Sequence, residues 1–91
     1  MTRSELITKL LEKMPHLKPS EIEAIVITVF DEISNALEKG GRVELRGFGA
    51  FFVKEREARK GRNPRTGESV DVPERKVPAF RSSKILFEKL N

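Results

Sequence analysis

Between Lys54 and Lys76 the chain carries eight basic side chains, Lys54, Arg56, Arg59, Lys60, Arg62, Arg65, Arg75 and Lys76, against five acidic ones, Glu55, Glu57, Glu68, Asp71 and Glu74. From Arg59 to Gly67 the cations stand alone. Guanidinium and ammonium groups gathered in this way pair with anionic oxygens, and a run of them suits a polyanion. The only aliphatic residues inside this stretch are Ala58, Val70 and Val72, too little apolar surface for it to fold back and bury itself. It must project, or lie on a partner. In the middle of the segment Gly61-Arg62-Asn63-Pro64-Arg65-Thr66-Gly67 stands Pro64, rigid and apolar, with arginines on both sides. Two readings of Pro64 are open. Asn-Pro between two glycines is a turn signal; a small apolar side chain at a cationic tip is also the kind of wedge that minor-groove proteins insert between base pairs.

Other chemistry is hard to find. The single histidine, His16, lies in a linker between Pro15 and Leu17, and there is no cysteine, which leaves neither a metal-ligand set nor a thiol nucleophile. Gly47-Phe48-Gly49 is too short to cradle a phosphate, and no Gly-Lys-Ser/Thr sequence is present. The reading is therefore of a binding protein and not an enzyme, with no cofactor and no metal.

The elements that must hold this stretch follow from periodicity. Thr2 with Glu5 three residues on is a capping-box signature, and Leu6, Ile7, Leu10, Leu11 and Met14 make an apolar stripe, so a first helix is expected until Pro15. Pro19 suits the first position of a second helix, whose wide stripe of Ile22, Ile25, Val26, Val29, Phe30, Ile33 and Leu37 faces both inward and toward a further partner. Gly40-Gly41 supplies its stop. From Arg42 the period changes to two, with Val43 and Leu45 alternating with Arg42, Glu44 and Arg46. Gly47-Phe48-Gly49 forms a turn, and Ala50 to Val53 opens the next strand. Phe48, Phe51, Phe52 and Phe80 are read as core residues of the sheet. Alternation past Val53 sets Lys54, Arg56 and Lys60 on one side and Glu55 and Glu57 on the other. Eight or nine residues at ~3.3 Å each make an arm roughly 25–30 Å long. Pro73 belongs at an edge or bend of the return strand, and Ser82 or Ser83 caps a short last helix. The fold class is α+β: two N-terminal helices, a three-stranded antiparallel sheet extended into a long β-hairpin arm, and a short C-terminal helix. Residues 1–91 form one domain, with a body of residues 1–53 and 77–91 and an arm of residues 54–76.

Ninety-one residues with 37% apolar and 35% charged side chains describe a soluble chain whose core is marginal once the arm is set aside. A subunit interface is expected to complete it. The net charge of +4 divides unevenly, with the excess confined to the arm and the last segment, where Arg81, Lys84 and Lys89 face a single Glu88. No apolar run approaches membrane-spanning length and the first residues lack a signal-peptide core, so a cytoplasmic location away from membranes is expected.

The segments Arg46-Gly47-Phe48-Gly49, Gly61-Arg62-Asn63-Pro64-Arg65-Thr66-Gly67 and Val77-Pro78-Ala79-Phe80 resemble the signature of the bacterial HU and integration host factor family, across the whole chain. Arg46 before Gly-Phe-Gly, with Glu44 two residues earlier, is more similar to the integration host factor beta subunit. There the carboxylate is expected to orient the guanidinium so that it reads groove shape. The resemblance implies an intertwined dimer, either with an identical chain or with a related alpha subunit. It implies a nucleoid-associated protein that binds double-stranded DNA in the minor groove at A/T-rich or deformable sites. Arg42, Arg46, Arg81 and Lys84, with the helix start at Ser82 and Ser83, would then hold the backbone, and Glu44 would orient Arg46. Lys54, Arg56, Arg59, Lys60, Arg62, Asn63, Arg65, Arg75 and Lys76 would line the groove, and Pro64 would intercalate. Sequence-neutral HU-like binding, RNA binding and protein docking are the alternatives. The chain departs from the family at Ser82-Ser83-Lys84, where many members have Pro-Gly-Lys; the amides of that helix start are the family's phosphate contacts.

Overall fold

The computed structural model describes residues 1–91, which divide into two compact units, residues 1–35 and 36–91. In the first, α1 runs Arg3–Lys13. Thr2 caps it, its hydroxyl accepting from the Glu5 amide at 3.2 Å while lying 3.3 Å from the Glu5 carboxylate, a cap worth ~1 kcal/mol. The second helix, α2, runs Pro19–Glu38, and the Glu21 carboxylate accepts from the Lys18 amide at its start. It ends as Gly40-Gly41 dictates: Gly40 adopts φ +79°, its amide donates to the Leu37 carbonyl and the Gly41 amide donates to the Ala36 carbonyl. That pair of bonds is the Schellman closure, which needs the left-handed conformation glycine permits.

The second unit holds the strands β1 (Val43–Leu45), β2 (Gly49–Arg56), β3 (Arg59–Arg62), β4 (Ser69–Val72) and β5 (Arg75–Ser82), followed by α3 (Lys84–Leu90). They form two antiparallel sheets, β1-β2-β5 and β3-β4. The expected long hairpin is thus interrupted, but its register is not. Arg56 pairs with Arg75 where the first ladder stops and Arg59 pairs with Val72 where the second begins, so the count of residues on the two strands is equal across the gap. Two facing pairs drop out, Glu57 with Glu74 and Ala58 with Pro73. Proline has no amide to donate and like charges directly opposite repel. The interruption follows from these residues.

Only Ile22, Val26 and Ala50 are buried. Large apolar side chains stay open on α2 (Ile25, Val29 and Phe30, each about half exposed), on the sheet (Leu45, Phe80) and on α3 (Ile85, Phe87 and Leu90). A side chain of this size gains ~1.5–3 kcal/mol on leaving water, so a single copy forgoes much of its available stabilisation. This is the surface a second copy would cover. No helix is long and apolar enough to cross a membrane.

Candidate nucleic-acid interface

The three-stranded sheet has two faces of different chemistry, fixed by period two and by register. Phe51 pairs with Phe80, Val53 with Pro78 and Val43 with Phe51, so one face gathers Val43, Leu45, Phe51, Val53, Pro78 and Phe80. The rings of Phe51 and Phe48 pack on Phe80 with centroids 4.9 and 5.3 Å away and tilted planes. The Phe80 ring also lies over Gly49, where a Cβ would sit 2.5 Å from it.

The other face is cationic. Ala50 pairs with Arg81, Phe52 with Ala79, Lys54 with Val77 and Arg56 with Arg75, while Glu44 pairs with Ala50 across β1. Lys54, Arg56, Arg75 and Arg81 therefore share one surface, and Arg42 joins them at the start of β1, its guanidinium 5.9 Å from the Phe52 ring centroid. Glu44 is the one carboxylate among them. Its Oε1 accepts from the Arg42 Nε at 2.8 Å. The expected pairing of Glu44 with Arg46 is thus corrected: β1 ends at Leu45, Arg46 lies in the turn that follows, and the strand alternation that would have aligned the two side chains stops one residue short.

Phe52 is a second correction. Composition places it in the core with the other sheet phenylalanines, but its even position turns it toward Lys54 and Arg56. The same period-two count that assigns the cations carries this signal.

A shallow cleft of about 230 Å³ brings Arg42, Glu44, Arg46, Arg81, Ser82 and Ser83 together. Ser83 caps α3, its hydroxyl accepting from the Leu86 amide at 3.1 Å, while its own amide donates to the Phe48 carbonyl. Ser82 is instead the last residue of β5. The helix start accordingly offers the Lys84 and Ile85 amides and not the whole first turn. The Lys84 ammonium lies 3.9 Å from Glu88.

Along the tip sheet, Lys60 and Arg62 share a face with Ser69 and Asp71, and Lys60 is paired with Asp71. Arg59 lies on the reverse face, near Gly61, Val70 and Val72. Lys76, opposite Glu55, also falls on the face away from Lys54 and Arg56. Of the three cations expected on one side, Lys54 and Arg56 share a face of the first sheet, while Lys60 lies in the second sheet on a face with Arg62.

The tip is tightly wound. Asn63 accepts from the Arg65 amide through its side chain and from the Gly67 amide through its carbonyl, and its own amide donates to Glu68. Gly67 takes φ +75°. Asn63 thereby builds the turn, while Pro64 and Arg65 stand exposed at its apex.

The sequence matches the family model described as "Bacterial DNA-binding protein" over residues 1–91. Among solved structures it is similar to an Anabaena HU in a cocrystal with DNA, with 37% identity and a TM-score of 0.90 over 99% of this chain and 97% of that one. It is also similar to a mutant of HU from Thermotoga maritima, with 30% identity, a TM-score of 0.73 and full coverage of both chains. The unmutated HU from Thermotoga maritima gives 28% identity and a TM-score of 0.70, again over the whole of both. With the match to the family model running from end to end, and the fold shared with these HU structures, the chain belongs to the bacterial DNA-binding protein family of HU type.

Proposed function

We propose that this protein is an architectural DNA-binding protein that acts as a dimer in the minor groove and bends the duplex, with roles in recombination, replication, transcription regulation and nucleoid organisation. The observation that carries the reading is the cationic sheet face of Arg42, Lys54, Arg56, Arg75 and Arg81. It leads in unbroken register to a tip that presents Pro64 between arginines. The sheet cations, with Arg46, Lys84 and the Ser82-Ser83 cleft, take phosphates. Lys60, Arg62 and Arg65 enter the groove with the tip, and Arg59 and Lys76 reach phosphates beside it. Pro64 inserts at a base step, where unstacking costs a few kcal/mol and is offset by the added contact a bent duplex allows. The second copy covers the apolar surface of α2, the sheet and α3; it is an identical chain or a related alpha subunit. The Anabaena relative was crystallised with DNA, which supports the same ligand here.

Site preference divides into two readings. An integration-host-factor-like preference needs an oriented Arg46. The engagement of Glu44 by Arg42 favours HU-like binding with little sequence preference, because an untethered arginine contributes charge more than shape reading. End-to-end energy transfer on short duplexes, A/T-rich against random, tests both. A bend on both with similar affinity supports the sequence-neutral reading, a bend on the A/T-rich duplex alone supports the selective one, and a straight duplex in every complex sinks the architectural role.

A further inference from the structure

Phe52 stands apart from the phenylalanines that pack together on the other side of the sheet. It is only partly buried, its register partner is the small Ala79, and two cations flank its ring: the Arg42 guanidinium and the Lys54 ammonium, each 5.9 Å from the centroid. That distance is within the range at which a ring quadrupole attracts a cation. Glu44 holds the Arg42 Nε, so Arg42 is fixed by a carboxylate at one edge and a ring at its face. Its terminal nitrogens have no ion pair and remain available as donors.

We propose that Phe52 is a positioning residue of the DNA-binding face, an aromatic spacer that holds Arg42 and Lys54 as a preset pair for neighbouring phosphates. Long basic side chains lose rotamer freedom when they engage phosphate; cations already held on a ring lose less of it. Ala79 leaves the side of the ring toward β5 uncrowded, and the apolar cluster of Phe48, Phe51 and Phe80 lies on the reverse face and does not include it. The role rests on the DNA-binding reading above.

The test compares Phe52→Leu and Phe52→Tyr with the unaltered protein, measuring affinity for a short duplex across a salt series and melting without DNA. The leucine variant should bind about five- to tenfold more weakly at every salt concentration in the series, with the slope of log affinity against log salt unchanged, because Arg42 and Lys54 still neutralise their phosphates and only their preset placement is lost. Phe52→Tyr, which keeps the ring, should retain the original affinity. An independent readout in the unaltered free protein is ¹⁵N relaxation at the Arg42 Nε, which should be ordered there and mobile in the leucine variant. An unchanged affinity in Phe52→Leu, or an Arg42 Nε that is mobile in the unaltered protein, overturns the positioning role while leaving DNA binding intact. Absence of salt-dependent duplex binding by the unaltered protein overturns both.

Discussion

The same two stretches of chain build two ladders, and the two are held by different forces. At the root, β2 and β5 pair over eight residues each, with the rings of Phe51 and Phe48 packed on Phe80 along one face. At the tip, β3 and β4 pair over four, and Val70 is exposed beside Arg59 with no aromatic over it. Ring packing adds to the hydrogen bonds of the first; the second has its hydrogen bonds, a wound turn and an exposed ion pair worth ~0–1 kcal/mol. A change at the root should therefore register in stability, and a change at the tip, on the proposed DNA-binding reading, in binding.

Gly49→Ala should break the root most severely. Its Cβ would come within 2.6 Å of the Arg81 carbonyl oxygen and 2.5 Å of the Phe80 ring, and the backbone cannot retreat as a side chain could. A loss of ~2–3 kcal/mol is expected. Since ~1 kcal/mol moves the melting point of a domain this size by about 4–8 °C, a fall of about 8–24 °C should follow. Gly61→Ala at the tip meets the Val72 methyl at 3.0 Å and, at ordinary contact distance, the Val70 methyl at 3.6 Å and the Arg59 guanidinium at 3.8 Å, all side-chain atoms, and should lower melting by under about 2 °C on the same scale. Equal losses in the two variants, measured by calorimetry at one protein concentration, would erase the distinction.

The next effect lies in binding. Arg62→Ala with Arg65→Ala removes two unpaired cations from the tip, and affinity for duplex DNA should fall about ten- to thirtyfold. The salt slope should become shallower by ~0.9 for each phosphate left without its cation, with melting unchanged. A lower melting point with the slope intact would mean that the arginines serve the fold.

Pro64→Ala should do less to affinity, under about fivefold, and more to shape, since the apolar wedge and not the charge is removed. Energy transfer between duplex ends should report a shallower bend. A bend equal to that of the unaltered protein would return Pro64 to the role of turn former.

Most of the root is legible in the sequence because period two and period 3.6 speak directly of which side chains face inward. Thr2, Pro19 and Gly40 fix helix ends for local reasons that need no tertiary context. Two features are out of reach for different causes. The partner of Glu44 depends on where β1 stops, and a strand terminus is decided by its neighbours, here by the turn closed when the Phe48 amide donates to the Leu45 carbonyl. Phe52 is misleading because aromatic residues near a sheet are core by composition, although its parity with Lys54 already places it on the charged side. The gap in the arm is half legible. Pro73 announces a bend, but that Glu57 faces Glu74 emerges only from the register.

That facing pair offers the smallest and most discriminating change. If like charge between Glu57 and Glu74 helps to hold the ladder open, Glu74→Lys should place opposite charges there and let the two sheets approach one continuous ribbon. A favourable cross-strand pair adds roughly 0.2–1 kcal/mol, which corresponds to slower amide exchange at the tip by about twofold to fivefold in the free protein. Root amides should be unaffected, since the eight-pair ladder of β2 and β5 is expected to exchange through larger openings. If tip exchange does not slow, the missing Pro73 donor alone sets the gap, and Pro73→Thr becomes the substitution that should close it. If root and tip slow together, the two ladders are one cooperative unit and the division between them is a feature of hydrogen bonding without an energetic counterpart.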